Sequence, residues 1–192
     1  MSAHRAAYYQ RIDAVVAVTT ELIGTEGVRN VTLASIAEST GITRQWLHQL
    51  FPDLHAIYAL IYEQMKKDYL RIDQPLPNDR AERIEFQCAQ VPRWLDMPVA
   101  HAILGTYILN GSTRNSSQGS ALRERMIDDM NRGWVAQLTE QGFAAENISS
   151  GILILLNSLF GVVIAVNDGL TGCAAAEIRL VALIRALGQV PL

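Results

Sequence analysis

The stretch "VTLASIAESTGITRQWLHQLFPDL", residues 31–54, decides how this chain folds. Thr32 can cap a short helix whose inner face is Leu33, Ile36 and Ala37. Gly41 then interrupts the apolar spacing where a turn needs a residue tolerant of positive φ. Thr43 can cap the next helix, with Leu47, Leu50 and Phe51 turned inward, and Pro52 stops it. Two short helices across a glycine turn, with the small Ala37 at their crossing, make a helix-turn-helix arrangement. The second helix packs by one side, and its other side collects Arg44, Gln45, Trp46, His48 and Gln49.

Upstream, Ile12, Val15, Val16, Thr19, Leu22 and Ile23 fall on one face of a helix, and Gly27 sits where its C-cap would be. Downstream, Asp53 can cap a long fourth helix with Leu54, Ile57, Tyr58, Ile61, Met65 and Tyr69 on one stripe. The same spacing predicts helices at about 80–91, 98–110, 119–141, 145–168 and 173–188. Breaks are expected at Pro92, at Pro98, in the Ser- and Gly-rich stretch 111–119, at Gly142 and at 168–172. Neither strand alternation nor an internal repeat is present, so the chain reads as all-α. The polar, proline-containing "DQPLPND" (73–79) marks a boundary. This gives a three-helix head at 1–52, a connecting helix at 53–72 and a second helical domain at 73–192.

Of the 192 residues, 49% are hydrophobic and 18% charged, against a usual charged share of about 25%, which argues against disorder. The net charge of −3 argues against a general nucleic-acid binder. Up to Arg71, seven basic residues balance seven acidic ones, so the whole deficit lies beyond. Cys88 and Cys173 form no CxxC and have no histidine at zinc spacing, so neither a metal site nor a disulfide framework is expected. A reducing cytoplasm fits. The apolar run 14–18 is too short for a secretory leader. The apolar stretch 151–166 falls short of the roughly 20 residues of a membrane span. Asn157 and Ser158 interrupt it, and it reads as a helix buried on nearly all sides.

The open face of the second hairpin helix carries chemistry that fits base edges. Arginine pairs with guanine O6 and N7, glutamine with adenine N6 and N7, and an aromatic ring lies against a thymine methyl or a sugar. Hydroxyls at helix starts suit phosphate oxygens. Thr32 and Thr43 are therefore candidate phosphate contacts, and Arg44, Gln45 and Trp46 candidate base or sugar contacts, with Gln49 beside them. Spacing alone leaves a second reading open, in which the hairpin is ordinary all-α packing and the Arg–Gln pair is solvated surface.

Residues 11–57 resemble the DNA-binding domain of TetR-type (tetracycline-repressor-like) transcriptional regulators. The matching residues are Arg11-Ile12, Leu22-Ile23, Glu26-Gly27, Val31-Thr32-Leu33, Ile36-Ala37, Gly41-Ile42-Thr43, Leu47, Leu50-Phe51-Pro52 and Ile57. The resemblance covers about the first third of the chain. It departs from the family pattern at His48, where the family has a tyrosine on phosphate, and at Leu54, where it has a lysine. His48 can still donate to a phosphate, whereas Leu54 cannot. The family also has a more basic N-terminal region, so weaker non-specific binding is implied.

The resemblance further implies a C-terminal ligand-binding and dimerisation domain, with the last two helices of each subunit pairing in a four-helix bundle. Candidate dimer residues are Leu159, Val163, Ile178, Val181, Leu183 and Ile184. Candidate ligand-pocket residues, by type, are Trp94, His101, Tyr107, Met130, Trp134, Asn157 and Phe160. The pairs Arg125–Asp129 and Asp128–Arg132, at i, i+4, are expected to be surface ion pairs. No HExxH, GxSxG, phosphate-loop or Cys–His constellation marks an enzyme, and no cofactor is expected. The expectation is a regulator that binds double-stranded DNA as a homodimer on a near-palindromic operator. It would be a repressor released by a small, largely apolar effector, without membrane association. A helical protein-interaction adaptor, or a DNA-binding regulator without an inducer, is the competing reading.

Overall fold

Aliphatic residues at helical spacing produce the first element, α1 (Ala3–Glu26), whose face of Val15, Val16, Thr19 and Ile23 is buried. Thr19 is tolerated there because its hydroxyl donates to the Val15 carbonyl at 2.7 Å. Here the molecule is a computed structural model. It describes residues 3–67, 75, 77–96, 98–109, 116–140, 145–167 and 169–189. Among these, every regular element is a helix: α2 (Leu33–Thr40), α3 (Arg44–Leu50), α4 (Leu54–Met65), α5 (Arg80–Cys88), α6 (Val91–Leu95), α7 (Pro98–Leu109), α8 (Ser117–Glu140), α9 (Ala145–Asn167) and α10 (Cys173–Gln189).

Local chemistry sets the boundaries of the first four. Gly27 ends α1 at φ +84°, its N–H donating to the Ile23 carbonyl at 3.1 Å. Thr32 caps α2 by accepting from the Ser35 N–H at 3.0 Å, and the Ser35 hydroxyl accepts from the Thr32 N–H at 3.0 Å. Serine thus fills the place that Glu or Gln takes in most capping boxes. Gly41 ends α2 at φ +68°. Thr43 and Asp53 cap α3 and α4 through the Trp46 and Ala56 N–H groups, at 3.3 and 3.0 Å. Helix α1 packs on α2 and α4, and α2 on α3.

Helices α5 and α6 pack on α10, while α7, α8 and α9 pack on one another. The first four helices meet the later ones where α1 and α4 touch α7 and where α4 touches α8. Pro92, expected as a break, instead opens α6. A proline in the first helical turn displaces no intrahelical hydrogen bond, which is why it starts a helix as readily as it ends one. The α-helical part of the fourth helix ends at Met65 and residues 66–67 form a wider turn; positions 68–72 lie outside the described residues.

Two expectations need correction. Helix α9, expected to be buried on nearly all sides, has an open one: Ile152, Leu159, Phe160 and Val163 face inward, but Asn157 and Gly161 are exposed and Ile164 is 51% exposed. Consequently Leu159 and Val163, and Ile184 on α10, belong to the chain's own core rather than to a face open for a partner. Ile178 is 71% exposed, and Val181 and Leu183 are half-buried. A helix apolar all round carries no phase, so its spacing cannot say which side looks out. Among the described residues no helix is long and apolar enough to cross a membrane.

At Gly41 a Cβ would meet no atom within 4 Å, so only the positive φ opposes a side chain. Gly41→Ala is expected to lower stability by about 1 kcal/mol. Chemical denaturation of both forms checks this, and an unchanged midpoint would show that the turn relaxes freely.

Candidate nucleic-acid interface

Helix α3 divides cleanly by side. Leu47 is fully buried, Phe51 at its C-cap is 4% exposed, and Trp46 and Leu50 are half-buried against the core. Arg44, Gln45, His48 and Gln49, at i, i+1, i+4 and i+5, share the opposite side and are exposed. Thr32 and Thr43 are also exposed, with each hydroxyl oxygen engaged in its cap. The Thr32 hydroxyl also donates to the Ser35 hydroxyl at 3.2 Å, whereas the Thr43 cap bond uses one lone pair and leaves a hydroxyl proton for a further acceptor.

Trp46 is the correction here. It was expected on the open face, but it lies toward the core, and the Arg11 guanidinium of α1 stands over its ring at 5.6 Å. The signal was available, because Trp46 and Leu50 are at i, i+4 and must share a side. Trp46 thus locks α3 to α1, through a cation–π contact worth about 0.5–1 kcal/mol where exposed. Leu54, half-buried at the start of α4, packs on the core.

The head's scaffold is pinned from behind. The Tyr58 hydroxyl donates to the Val28 carbonyl at 3.3 Å, holding the loop after α1 against α4. Burial pushes the Tyr58 phenol up to about 12. On the same side of α4, His55 Nδ1 is hydrogen-bonded to the hydroxyl of Tyr107 on α7, and Tyr58 meets the Tyr107 ring edge-on at 6.3 Å. Tyr107 is fully buried, and burial raises its pKa above the ordinary phenol value.

A second polar junction ties α4 to α8. Asp129 is only 3% exposed. Its Oδ2 accepts from the Tyr62 hydroxyl at 3.1 Å and faces Lys66 Nζ at 2.9 Å, while Oδ1 accepts from Arg132. Lys66 also reaches Glu63 at 3.4 Å, and Glu63 pairs with Arg125. Burial first, then the Asp129 charge, raises the Tyr62 pKa far above the phenol range, so Tyr62 stays a donor. The expected surface pairs Arg125–Asp129 and Asp128–Arg132 are therefore not the arrangement formed. Arg125 turns to Glu63 on α4, and Arg132 takes Asp129 at i−3, because a carboxylate buried at a helix contact draws in the nearest cations. Sequence reasoning passed over His55, Tyr62, Lys66 and Asp129 as a group. The one local signal was that His55, Tyr58 and Tyr62 fall at i, i+3, i+7 on one side of α4.

The candidate pocket residues separate. Tyr107 and Phe160 are buried and Trp94 packs half-buried on the core, whereas Asn157 stands on the open face of α9. The side chains of His101, Met130 and Trp134 lie outside the described residues.

The same architecture occurs in solved structures. A TetR-family transcriptional regulator from Streptomyces coelicolor matches with a TM-score of 0.64 at 16% identity, over 97% of this chain and 82% of that one. A TetR transcriptional regulator from Rhodococcus sp. RHA1 matches at 0.56 and 16%, over 97% of each chain. RolR, solved with its ligand resorcinol, matches at 0.52 and 18%, over 96% of this chain and 95% of that one. In sequence, no family model and no curated protein matches the chain. What these comparisons show is a shared fold: the chain is built as TetR-family regulators are.

Breaking the α4–α8 junction tests its weight in the fold. Asp129→Ala strands Lys66 and Tyr62 and is expected to cost about 3–5 kcal/mol. The double variant Lys66→Met with Asp129→Leu should lose much less. Equal losses in urea melts would mean that the pair is not coupled.

Proposed function

We propose that this chain is a DNA-binding transcriptional regulator, with residues 1–52 as the reading head, 53–72 as the link and 73–192 as the sensing and dimerising domain. The observation that supports it most is the side of α3 bearing Arg44, Gln45, His48 and Gln49. It stands open on a helix-turn-helix whose fold is that of known regulators. Base-edge donors on an open helix of that kind fit a major groove. Thr43 and His48 supply phosphate donors around it.

The working form we infer is a homodimer on a near-palindromic site. On α9, Gly161 and Ile164 stand open, and on α10, Ala174, Ile178 and Ala182 do. These are apolar residues at i, i+3 and at i, i+4, i+8, several of them small enough for close helix packing. The regulator is read as a repressor released by a small effector of apolar or aromatic character. Support for that comes from the buried side chains of α7, α8 and α9, including Ile103, Met126, Ile152 and Phe160. Tyr107 lies among them and binds His55 on α4 directly, so a ligand displacing Tyr107 would be felt at the reading head.

Selection from randomised duplex DNA with the purified protein tests the reading. A single enriched near-palindrome is expected, and no enrichment over bulk DNA would end it. On the selected site, Arg44→Ala and Gln45→Ala should each weaken binding by about 1–3 kcal/mol and relax preference at one base position.

Assembly has its own test. Ile178→Glu, at an exposed position, should leave a folded monomer in sedimentation, whereas Ile184→Arg, in the core, should unfold the chain. An Ile178→Glu protein that sediments as a dimer would move the interface elsewhere.

A further inference from the structure

Of the four side chains on the open side of α3, Arg44 keeps its charge at every working pH, and Gln45 and Gln49 carry none. His48 differs, because histidine gains or loses a proton between about pH 5 and about pH 8. It is exposed one helical turn beyond Arg44, about 6 Å further along the axis. Among the described residues its ring has neither a hydrogen-bond nor an ion-pair partner. Helix α2 contributes one charged group, Glu38; α1 reaches α3 with Arg11; and the start of α4 holds Asp53 and His55. Arg11 covers Trp46, Asp53 caps α4, His55 is bound to Tyr107, and Glu38 makes no ion pair with His48. The fold thus brings no counter-charge to an imidazolium at this place, and it sets a like charge, Arg44, on the same side.

We infer that operator binding is coupled to protonation of His48, the imidazolium donating to a phosphate oxygen beside the bases that Arg44 and Gln45 read. The inference rests on the DNA-binding reading above and adds regulation to the same surface: the protein holds its operator more tightly as the solution turns acid. DNA supplies the counter-charge that the fold withholds, at one negative charge per about 1.7 Å of duplex. An imidazolium donates from both ring nitrogens and makes a bond about twice as strong as a neutral one, whereas a neutral ring keeps a single N–H. Where the free ring is neutral, binding therefore draws a proton from water onto the ring nitrogen that lacks one. A group that holds its proton more tightly in the complex contributes its full affinity at pH below its value in the free protein, about 6.5 for an ordinary histidine. That contribution is lost as pH rises through the group's higher value in the complex. Arg44, Gln45 and Gln49 have no such window.

The test uses the full chain and the operator that the unmutated protein enriches at about pH 6. Affinity and salt dependence are measured at about pH 5.5 and about pH 8, with circular dichroism holding the folded fraction equal at both. The unmutated protein should bind several-fold more tightly at the lower pH. Its slope of log K against log salt should be steeper there by about 0.9 for each His48 engaged. His48→Gln should give one affinity and one slope at both pH values. His48→Lys, charged throughout, should keep the steeper slope at both. A pH dependence that persists in His48→Gln would place the proton elsewhere and overturn the inference. An unmutated protein that binds its operator alike at both pH values would overturn it too, and the α3 reading survives either result. Should His48→Gln bind too weakly to measure, His48→Lys decides: a pH dependence matching that of the unmutated protein sinks the inference, and its absence supports it. If no DNA is enriched at all, both readings fall together.

Discussion

A carboxylate that is 3% exposed must be matched by donors, and Asp129 of α8 finds its donors on α4. Leaving such a group unpaired would cost several kcal/mol, so the two helices are held in one register rather than free to slide. Everything else about α4 follows the same constraint. Its first turn is tied down by the Asp53 cap and by His55 on Tyr107, and its end by Tyr62 and Lys66 on Asp129. Three anchors along 12 residues make α4 a stiff member between the helix-turn-helix and the second group of helices.

Stiffness is what a link needs if it is to carry an angle. In a dimer, two reading helices must sit about 34–36 Å apart to enter successive major grooves. A small tilt of α4 changes that spacing, whereas a flexible link would absorb it. Two of these anchors fall on α7 and α8, where buried apolar side chains could give way to a ligand. Any such ligand shifts the balance only by its differential affinity for the two tilts. Operator DNA must then weaken the ligand by the same factor that the ligand weakens DNA.

What the sequence disclosed was what is local. The caps Thr32, Thr43 and Asp53, the turn at Gly41 and the stripe through Val15, Thr19 and Ile23 each depend on neighbours within one or two helical turns. Asp129 did not disclose its burial, because its partners Tyr62 and Lys66 are more than sixty positions away while Arg125 offered a nearer, wrong mate. Likewise the outward side of α9 was hidden by a run apolar in every direction, and only packing on α7, α8 and α10 selected Leu159 and Val163 as interior. At the candidate interface Arg44, Gln45, His48 and Gln49 were legible from helical phase. The inward turn of Trp46 was legible too, from its i, i+4 spacing to Leu50, but its cover by Arg11 was not, because Arg11 belongs to another helix.

Two surfaces that the described residues leave uncovered differ in chemistry, and that difference supports the partner proposed for each. On α9 and α10 the open positions are Gly161, Ile164, Ala174, Ile178 and Ala182, which water solvates poorly and another copy of the same helices would cover. On α3 they are Arg44, Gln45, His48 and Gln49, whose hydrogen-bonding groups suit a polar partner rather than apolar contact. A net charge of −3 does not oppose a polyanion at that second surface. Exposed charges interact over about 10 Å at 0.1 M salt, and the acidic excess begins only beyond residue 71. A phosphate backbone at that surface would meet Arg44 and the balanced charge of the first 71 residues rather than the acidic excess that follows them.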